Sequence, residues 1–222
     1  MKKFISLLLA LTLVLSVIPT AFAENTVVLQ DDLEAYNVNE FAGGSWRVVK
    51  SAGSMGIVSD NGNKAFVLSK PAKADKAEHG AAVYLNKAAS GITTVEYRVR
   101  SDNPKTFSGA PFILDEGGKR LITASLNNSG AIAVHLDGEW KSVDKYSAGV
   151  WYSMKMVIDF DKQVYGFSVN GASKIEDAKF RTKGTSMAGL YFYVESAGSL
   201  LMVDDIKVST TSTGADISIP GD

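Results

Sequence analysis

Glu96, Arg98 and Arg100 stand two residues apart, and Tyr191 and Tyr193 repeat that spacing further on. His135 sits between them in the chain, among small and apolar residues. A carboxylate, a guanidinium, an imidazole and phenols brought to one surface could hold a polyhydroxylated ligand, or pass protons to and from it. Two acidic runs, Asp31-Asp32-Leu33-Glu34 and Asp204-Asp205, add carboxylates near the two ends of the chain. Composition closes other routes. The 222 residues include no Cys and only two His, His79 and His135. Thiol nucleophiles, disulfides, Cys zinc sites and multi-histidine metal centres are therefore excluded. A formal net charge of −1 argues against a nucleic-acid partner, which calls for a basic surplus.

The elements that must position these side chains are strands. In residues 151–160 the even positions are Tyr152, Met154, Met156, Ile158 and Phe160, while Ser153, Lys155 and Asp159 lie between them. That period of two describes a strand with one oily face and one mixed face. Val95, Tyr97 and Val99 alternate with Glu96, Arg98 and Arg100. Ile132, Val134 and Leu136 alternate with Ala131, Ala133 and His135. Leu190, Phe192 and Val194 alternate with Tyr191, Tyr193 and Glu195. Turn clusters such as Asp60-Asn61-Gly62-Asn63, Asp137-Gly138 and Asn170-Gly171 separate the runs. About a dozen short strands at such spacing predict an all-β fold, a two-sheet antiparallel sandwich.

The first residues read as an address. Lys2 and Lys3 precede an apolar run over residues 4–18, Pro19 breaks it, and Ala21-Phe22-Ala23 offers small residues for a signal peptidase. The run is shorter than the roughly 20 residues a membrane-spanning helix needs. The expectation is a signal peptide over residues 1–23 and a secreted or cell-surface protein with no membrane span after cleavage. Residues 24–208 form the sandwich domain, and the Ser/Thr/Gly-rich residues 209–222 read as a flexible tail or linker.

Several stretches in order carry a resemblance. They are Asp31-Asp32-Leu33-Glu34-Ala35-Tyr36, Gly43-Gly44-Ser45-Trp46, Thr94-Val95-Glu96-Tyr97-Arg98-Val99-Arg100, Trp151-Tyr152-Ser153-Met154-Lys155-Met156-Val157-Ile158-Asp159 and Val203-Asp204-Asp205-Ile206-Lys207-Val208. This order resembles the concanavalin A-like lectin/glucanase superfamily, in the form of the laminin-G-like jelly rolls of exported bacterial proteins. The resemblance implies a jelly roll with one concave outer face on which glycan-active members bind sugar, and in many members a structural calcium near the paired chain ends. The Glu-x-Asp-x-x-Glu strand of the family's glucanases is absent. Arg98, Arg100, His135, Tyr191 and Tyr193 loosely echo the strands of its polysaccharide lyases. Ala133 stands where those carry Gln, however, and the Tyr strand lacks their Lys.

On this reading Glu96, Arg98, His135, Tyr191 and Tyr193 line one sugar-binding groove, provided that residues 94–100, 131–137 and 190–195 share the concave sheet. The same residues also suit an ordinary solvated sheet surface. Trp46 and Trp151 sit where the family packs tryptophans, and Trp140 is expected in a turn. If the first and last strands run side by side, Asp32, Glu34 and the inward-pointing Asp204 are the ligands expected for calcium, which takes six to eight oxygens in irregular geometry. The function expected is an exported, non-catalytic carbohydrate-binding or cell-surface interaction module. The alternatives are a polysaccharide lyase using His135, Arg98 and Tyr193, and a structural spacer without a small ligand.

Overall fold

The computed structural model describes residues 25–74, 76–217 and 219; the leader expected over residues 1–23 lies outside them. Fourteen strands follow in order: β1 (Thr26–Asp31), β2 (Trp46–Lys50), β3 (Ser54–Asp60), β4 (Asn63–Ser69), β5 (His79–Ser101), β6 (Ser108–Leu114), β7 (Arg120–Leu126), β8 (Ala131–Leu136), β9 (Glu139–Lys145), β10 (Tyr152–Asp159), β11 (Val164–Val169), β12 (Ala172–Lys179), β13 (Met187–Val194) and β14 (Leu200–Asp216). All pairings are antiparallel. Among the described residues no helix is long and apolar enough to cross a membrane.

The topology turns on β5, which is 23 residues long. Its first half pairs with β2 and β13, through Ala81, Ala82 and Val83. Its second half pairs with β10 and β14, through Val95, Val99 and their neighbours. One layer therefore runs β2-β5-β13-β6-β7-β8-β9. The other runs β12-β11-β10-β5-β14, with β1, β4 and β3 beyond β14. Gly91 lies in the passage between the halves with φ +62°, a backbone region glycine enters at little cost.

Alternation explains how the layers close. Ala81, Val83 and Leu85 of the first half and Val95, Tyr97 and Val99 of the second belong to one buried cluster. Both halves thus face the same core, and their outer faces point to opposite sides of the molecule. Met154, Met156 and Ile158 are buried in that core, as period-two patterning requires. Trp46 lies 4.3 Å from Phe66 and 6.3 Å from Phe192, and Tyr97 meets Phe192 edge-on at 6.1 Å. These aromatic contacts lock the layers at their centre.

The chain ends pair as expected. β1 runs beside β14, with Asp31 opposite Ile206 and Thr26 opposite Thr210. The stretch after Val208 departs from the tail reading as far as Asp216: it continues β14 and pairs with Lys87, Ala89 and Ser90 of β5. The reason is local. Thr210 is buried, and its hydroxyl lies 2.9 Å from that of Thr93, so Ser/Thr-rich composition here satisfies a strand rather than a linker.

Candidate functional site

β13 is buried at all eight positions. Leu190, Phe192 and Val194 enter the main core, and Tyr191 and Tyr193 point the other way. There they join a second apolar cluster of Ala82, Phe112, Leu114, Tyr191 and Tyr193, with Tyr84 and Phe107 packed against it. A globular core does not need this cluster. It lies on the outer face of the β2–β9 layer, where a solvated sheet carries polar side chains.

Register builds the cluster. Tyr191 faces Ala82 and Phe112 across its two neighbouring strands, and Tyr193 faces Gly80 and Gly109. The Tyr193 ring lies over Gly109, where a Cβ would collide with ring carbons Cδ1 and Cε1. At Gly80 a Cβ would come within 2.8 Å of Tyr191 Cε2. Missing side chains on both flanking strands therefore let the two rings lie down on the sheet. Their centroids are 5.4 Å apart with an interplanar angle of 13°. Phe112 meets Tyr193 at 4.9 Å, and Trp140 of β9 extends the array, 6.4 Å from Phe112 and 5.4 Å from Phe107. Trp140 is 39% exposed, whereas Tyr191 and Tyr193 are 2% and 4% exposed. The tyrosines are thus a platform beneath the surface, and the ring open to solvent is Trp140, which lies in β9 rather than in a turn.

A charged pair caps one end. The Arg120 guanidinium stacks 4.7 Å from the Phe112 ring centre and about as close to both tyrosines, at 5.5 and 5.6 Å. Its Nη2 donates to both Glu78 oxygens at 3.0 Å, and the Tyr191 hydroxyl lies 3.4 Å from Glu78 Oε2. Burial, and then the Glu78 charge, hold both phenols far above the usual tyrosine range, with Arg120 acting against. Both stay protonated donors at neutral pH. His135 packs edge-on to Trp140 at 5.6 Å. Burial, and then the Arg181 charge, lower its pKa, so it is neutral there.

The structure brings Tyr191, Tyr193 and His135 to one face, linked by Phe112 and Trp140. It does not bring Glu96 and Arg98 there. Both lie on the second half of β5, so their outward side chains leave the opposite side of the sandwich. Glu96 pairs with Lys155 at 3.3 Å, and Arg98 pairs with Asp205 at 2.9 Å while stacking 4.9 Å from Trp151. Trp151 donates to Asp60 at 2.9 Å, and Asp60 takes two further bonds from Arg100. These are mutually satisfied surface groups. The set His135, Arg98 and Tyr193 required for lyase chemistry is therefore not assembled.

The acids expected to hold calcium, Asp32, Glu34 and Asp204, are each hydrogen-bonded within the protein. Asp204 is inward and fully buried, but its oxygens accept from Asn63 Nδ2 at 2.6 Å and from the Asp205 amide at 2.7 Å. Asp32 accepts from the Glu34 amide at 3.2 Å, and Glu34 from the Lys64 amide at 2.7 Å. Among the described residues no group of three or more acids and imidazoles gathers at metal-binding distance. Asp31 does the organising instead. It accepts from Trp46 Nε1 at 2.9 Å, from the Tyr36 hydroxyl at 3.1 Å and from the Leu33 amide at 3.0 Å.

Glu78, Phe107, Phe112 and Arg120 are members of the face that the sequence reading missed. Phe112 had a signal: Phe112-Ile113-Leu114 is an unbroken apolar run, the mark of a strand covered on both faces. Glu78 and Arg120 sit singly on separate elements, and only the fold joins them.

No family model matches the chain, and no curated protein matches it. Solved structures do. A sialidase matches at TM-score 0.63 and 12% identity over 76% of this chain, which spans 17% of the sialidase chain. The cellulose-induced protein Cip1 matches at TM-score 0.59 and 12% identity, over 84% of this chain and 99% of its own. Domain 4 of AbnA, an extracellular GH43 arabinanase from Geobacillus stearothermophilus solved with arabinotriose, matches at TM-score 0.52 and 14% identity, over 86% and 95%. With its two antiparallel layers, this chain has the fold of the concanavalin A-like lectin/glucanase jelly rolls.

Proposed function

We propose that this protein is an exported carbohydrate-binding module that holds glycans on the outer face of the β2–β9 layer without cleaving them. One observation carries the reading: a second aromatic cluster, outside the core, ends in a solvent-exposed tryptophan and is capped by an Arg–Glu pair. Sugars offer apolar ring faces that stack on aromatic rings, and hydroxyls that need planar polar partners. Trp140 supplies the first, and Arg120 and Glu78 the second. The fold's likeness to domain 4 of AbnA, solved with arabinotriose, is consistent with such a role. The test is a panel of neutral and acidic oligosaccharides offered to wild type and to Trp140→Ala. The variant should bind at least about tenfold more weakly, a loss near 1.4 kcal/mol. Equal binding of every member by both proteins, or none by either, overturns the assignment.

A second reading, glycan cleavage, draws on a different observation. Val194 faces His79 in register, so Glu195 and Glu78 flank the platform, and both charges act on Tyr193. Cleaving a glycosidic bond takes two carboxylates on one surface. Glu78 is already engaged by Arg120 and Tyr191, which favours binding alone. New reducing ends released from a bound glycan, and lost in Glu195→Gln, would establish cleavage.

A further inference from the structure

The ring contact between Trp140 and Phe112 has an unusual span. Trp140 is on β9 and Phe112 on β6, with β8 and β7 between them. Neighbouring strands lie about 4.8 Å apart, so these two are separated by about 14 Å. Yet the ring centroids are 6.4 Å apart. Both rings must lean inward over the two middle strands, and Phe107 closes beside them, 5.4 Å from Trp140.

The residues beneath are polar. Thr123 faces Phe112 in register, Ser125 faces Gly109 and Ala133, and His135 faces Trp140. Thr123 and Ser125 are buried to 0% and 1% exposure. Among the described residues their hydroxyls, and His135 Nδ1, have no hydrogen-bond partner. Polar groups buried without partners are costly, and Val and Ala would fill the same space without that cost. A row of three such atoms under one aromatic roof, on the face already assigned to glycans, calls for a ligand that supplies the partners.

We propose that Thr123, Ser125 and His135 floor a closed subsite for one neutral sugar unit, with Trp140 lifting to admit it and then stacking on its outer face. The proposal rests on the carbohydrate-binding reading above. Hydroxyls that both donate and accept match the hydroxyls of a sugar, and the floor carries no formal charge to attract an acidic one. Trp140 is the ring of this array most open to solvent. It sits on an edge strand, and Glu139, Lys141 and Ser142 around it are exposed.

The test uses the whole protein labelled with 5-fluorotryptophan and titrated with arabinotriose, xylotetraose, cellotetraose and laminaritetraose. Fluorine NMR gives one resonance for each of the three tryptophans, and Trp140→Phe identifies that of Trp140. An oligosaccharide that binds should move the Trp140 resonance and leave those of Trp46 and Trp151 in place. Thr123→Val with Ser125→Ala should weaken that oligosaccharide at least tenfold while melting no lower than wild type. Thr123→Val alone, the gentler change, should show part of the loss. Binding that is unchanged in the double variant, or that leaves Trp140 unmoved, overturns the subsite but leaves the glycan reading standing if Trp140→Ala still weakens it. No binding of any oligosaccharide by wild type overturns both.

Discussion

The Tyr97 hydroxyl donates a 3.0 Å hydrogen bond to the Ala110 carbonyl inside the core, joining the second half of β5 to β6 in the facing layer. Both groups are buried, so neither can turn to water. Tyr97→Phe keeps the ring against Phe192 and removes only this link. It should cost about 1–2 kcal/mol, read as a lower urea midpoint at unchanged slope. An unchanged midpoint would mean that the bond does not help to fasten the layers.

Asp31 holds the first strand to the core through Trp46. Asp31→Asn keeps one oxygen where Asp31 uses two, Oδ2 accepting from Trp46 Nε1 and the Tyr36 hydroxyl and Oδ1 from the Leu33 amide, so in either orientation an NH2 group faces a donor. The expected loss is about 2–3 kcal/mol, a drop in melting temperature of roughly 5 °C or more. A spectroscopic signature separates this from general damage. Burial and the Asp31 charge push the Tyr36 phenol up to about 12, so its absorbance titration should move toward the ordinary value of 10 in the variant.

Asp204 makes stability depend on pH. Burial raises its carboxyl from the ordinary 3.8 to about 6, and the Asp205 charge adds to this, while the Asp205 amide, Arg98 and Asn63 oppose it. The folded state therefore binds the proton more tightly than the unfolded chain. The stabilisation is full below the unfolded value and is lost as pH rises through about 6. Its size is at most about 3 kcal/mol. Urea titrations at pH 4.5 and pH 7 should show wild type losing more stability over this interval than Asp204→Asn. Parallel curves for the two proteins would rule out this carboxyl as the source.

Gly109 is the floor under Tyr193. Gly109→Ala places a methyl group where the ring lies, and the ring must leave its stack on Tyr191. Overpacking of this kind costs about 1–3 kcal/mol. Glycan retention should fall with it, because Tyr193 packs against Phe112, the ring that Trp140 stacks on. Gly43→Ala is the control: a Cβ there meets nothing within 4 Å, and its effect should stay within about 0.5 kcal/mol.

Alternation alone located the strands carrying Met154, Val95, Ile132 and Leu190, because one buried face forces a period of two. It also placed Tyr191, Tyr193 and His135 on faces away from the core. It could not show that Glu96 and Arg98 belong elsewhere. The odd positions face the core in both halves of β5, and the break between them, where Asn86 and Lys87 are exposed and Ala88 and Ala89 buried, does not by itself say that the strand changes layer. Burial of the tyrosines was hidden for another reason. It depends on Gly80 and Gly109 in neighbouring strands, and cross-strand register is not written in either strand alone. Asp204 was correctly read as inward. It accepts from the side-chain amide of Asn63, a residue 141 positions away that no reading along the strand could supply.

One uninterrupted backbone belonging to both halves of the sandwich ties the opening of one half to that of the other. If the edge beside β13 opened, the same 23-residue segment would lose its grip on β10 and β14. Its ladder-bonded amides in the two halves should therefore exchange with solvent at similar rates. A glycan that tightens the Trp140 face would then protect the far side of the molecule as well, although it touches nothing there.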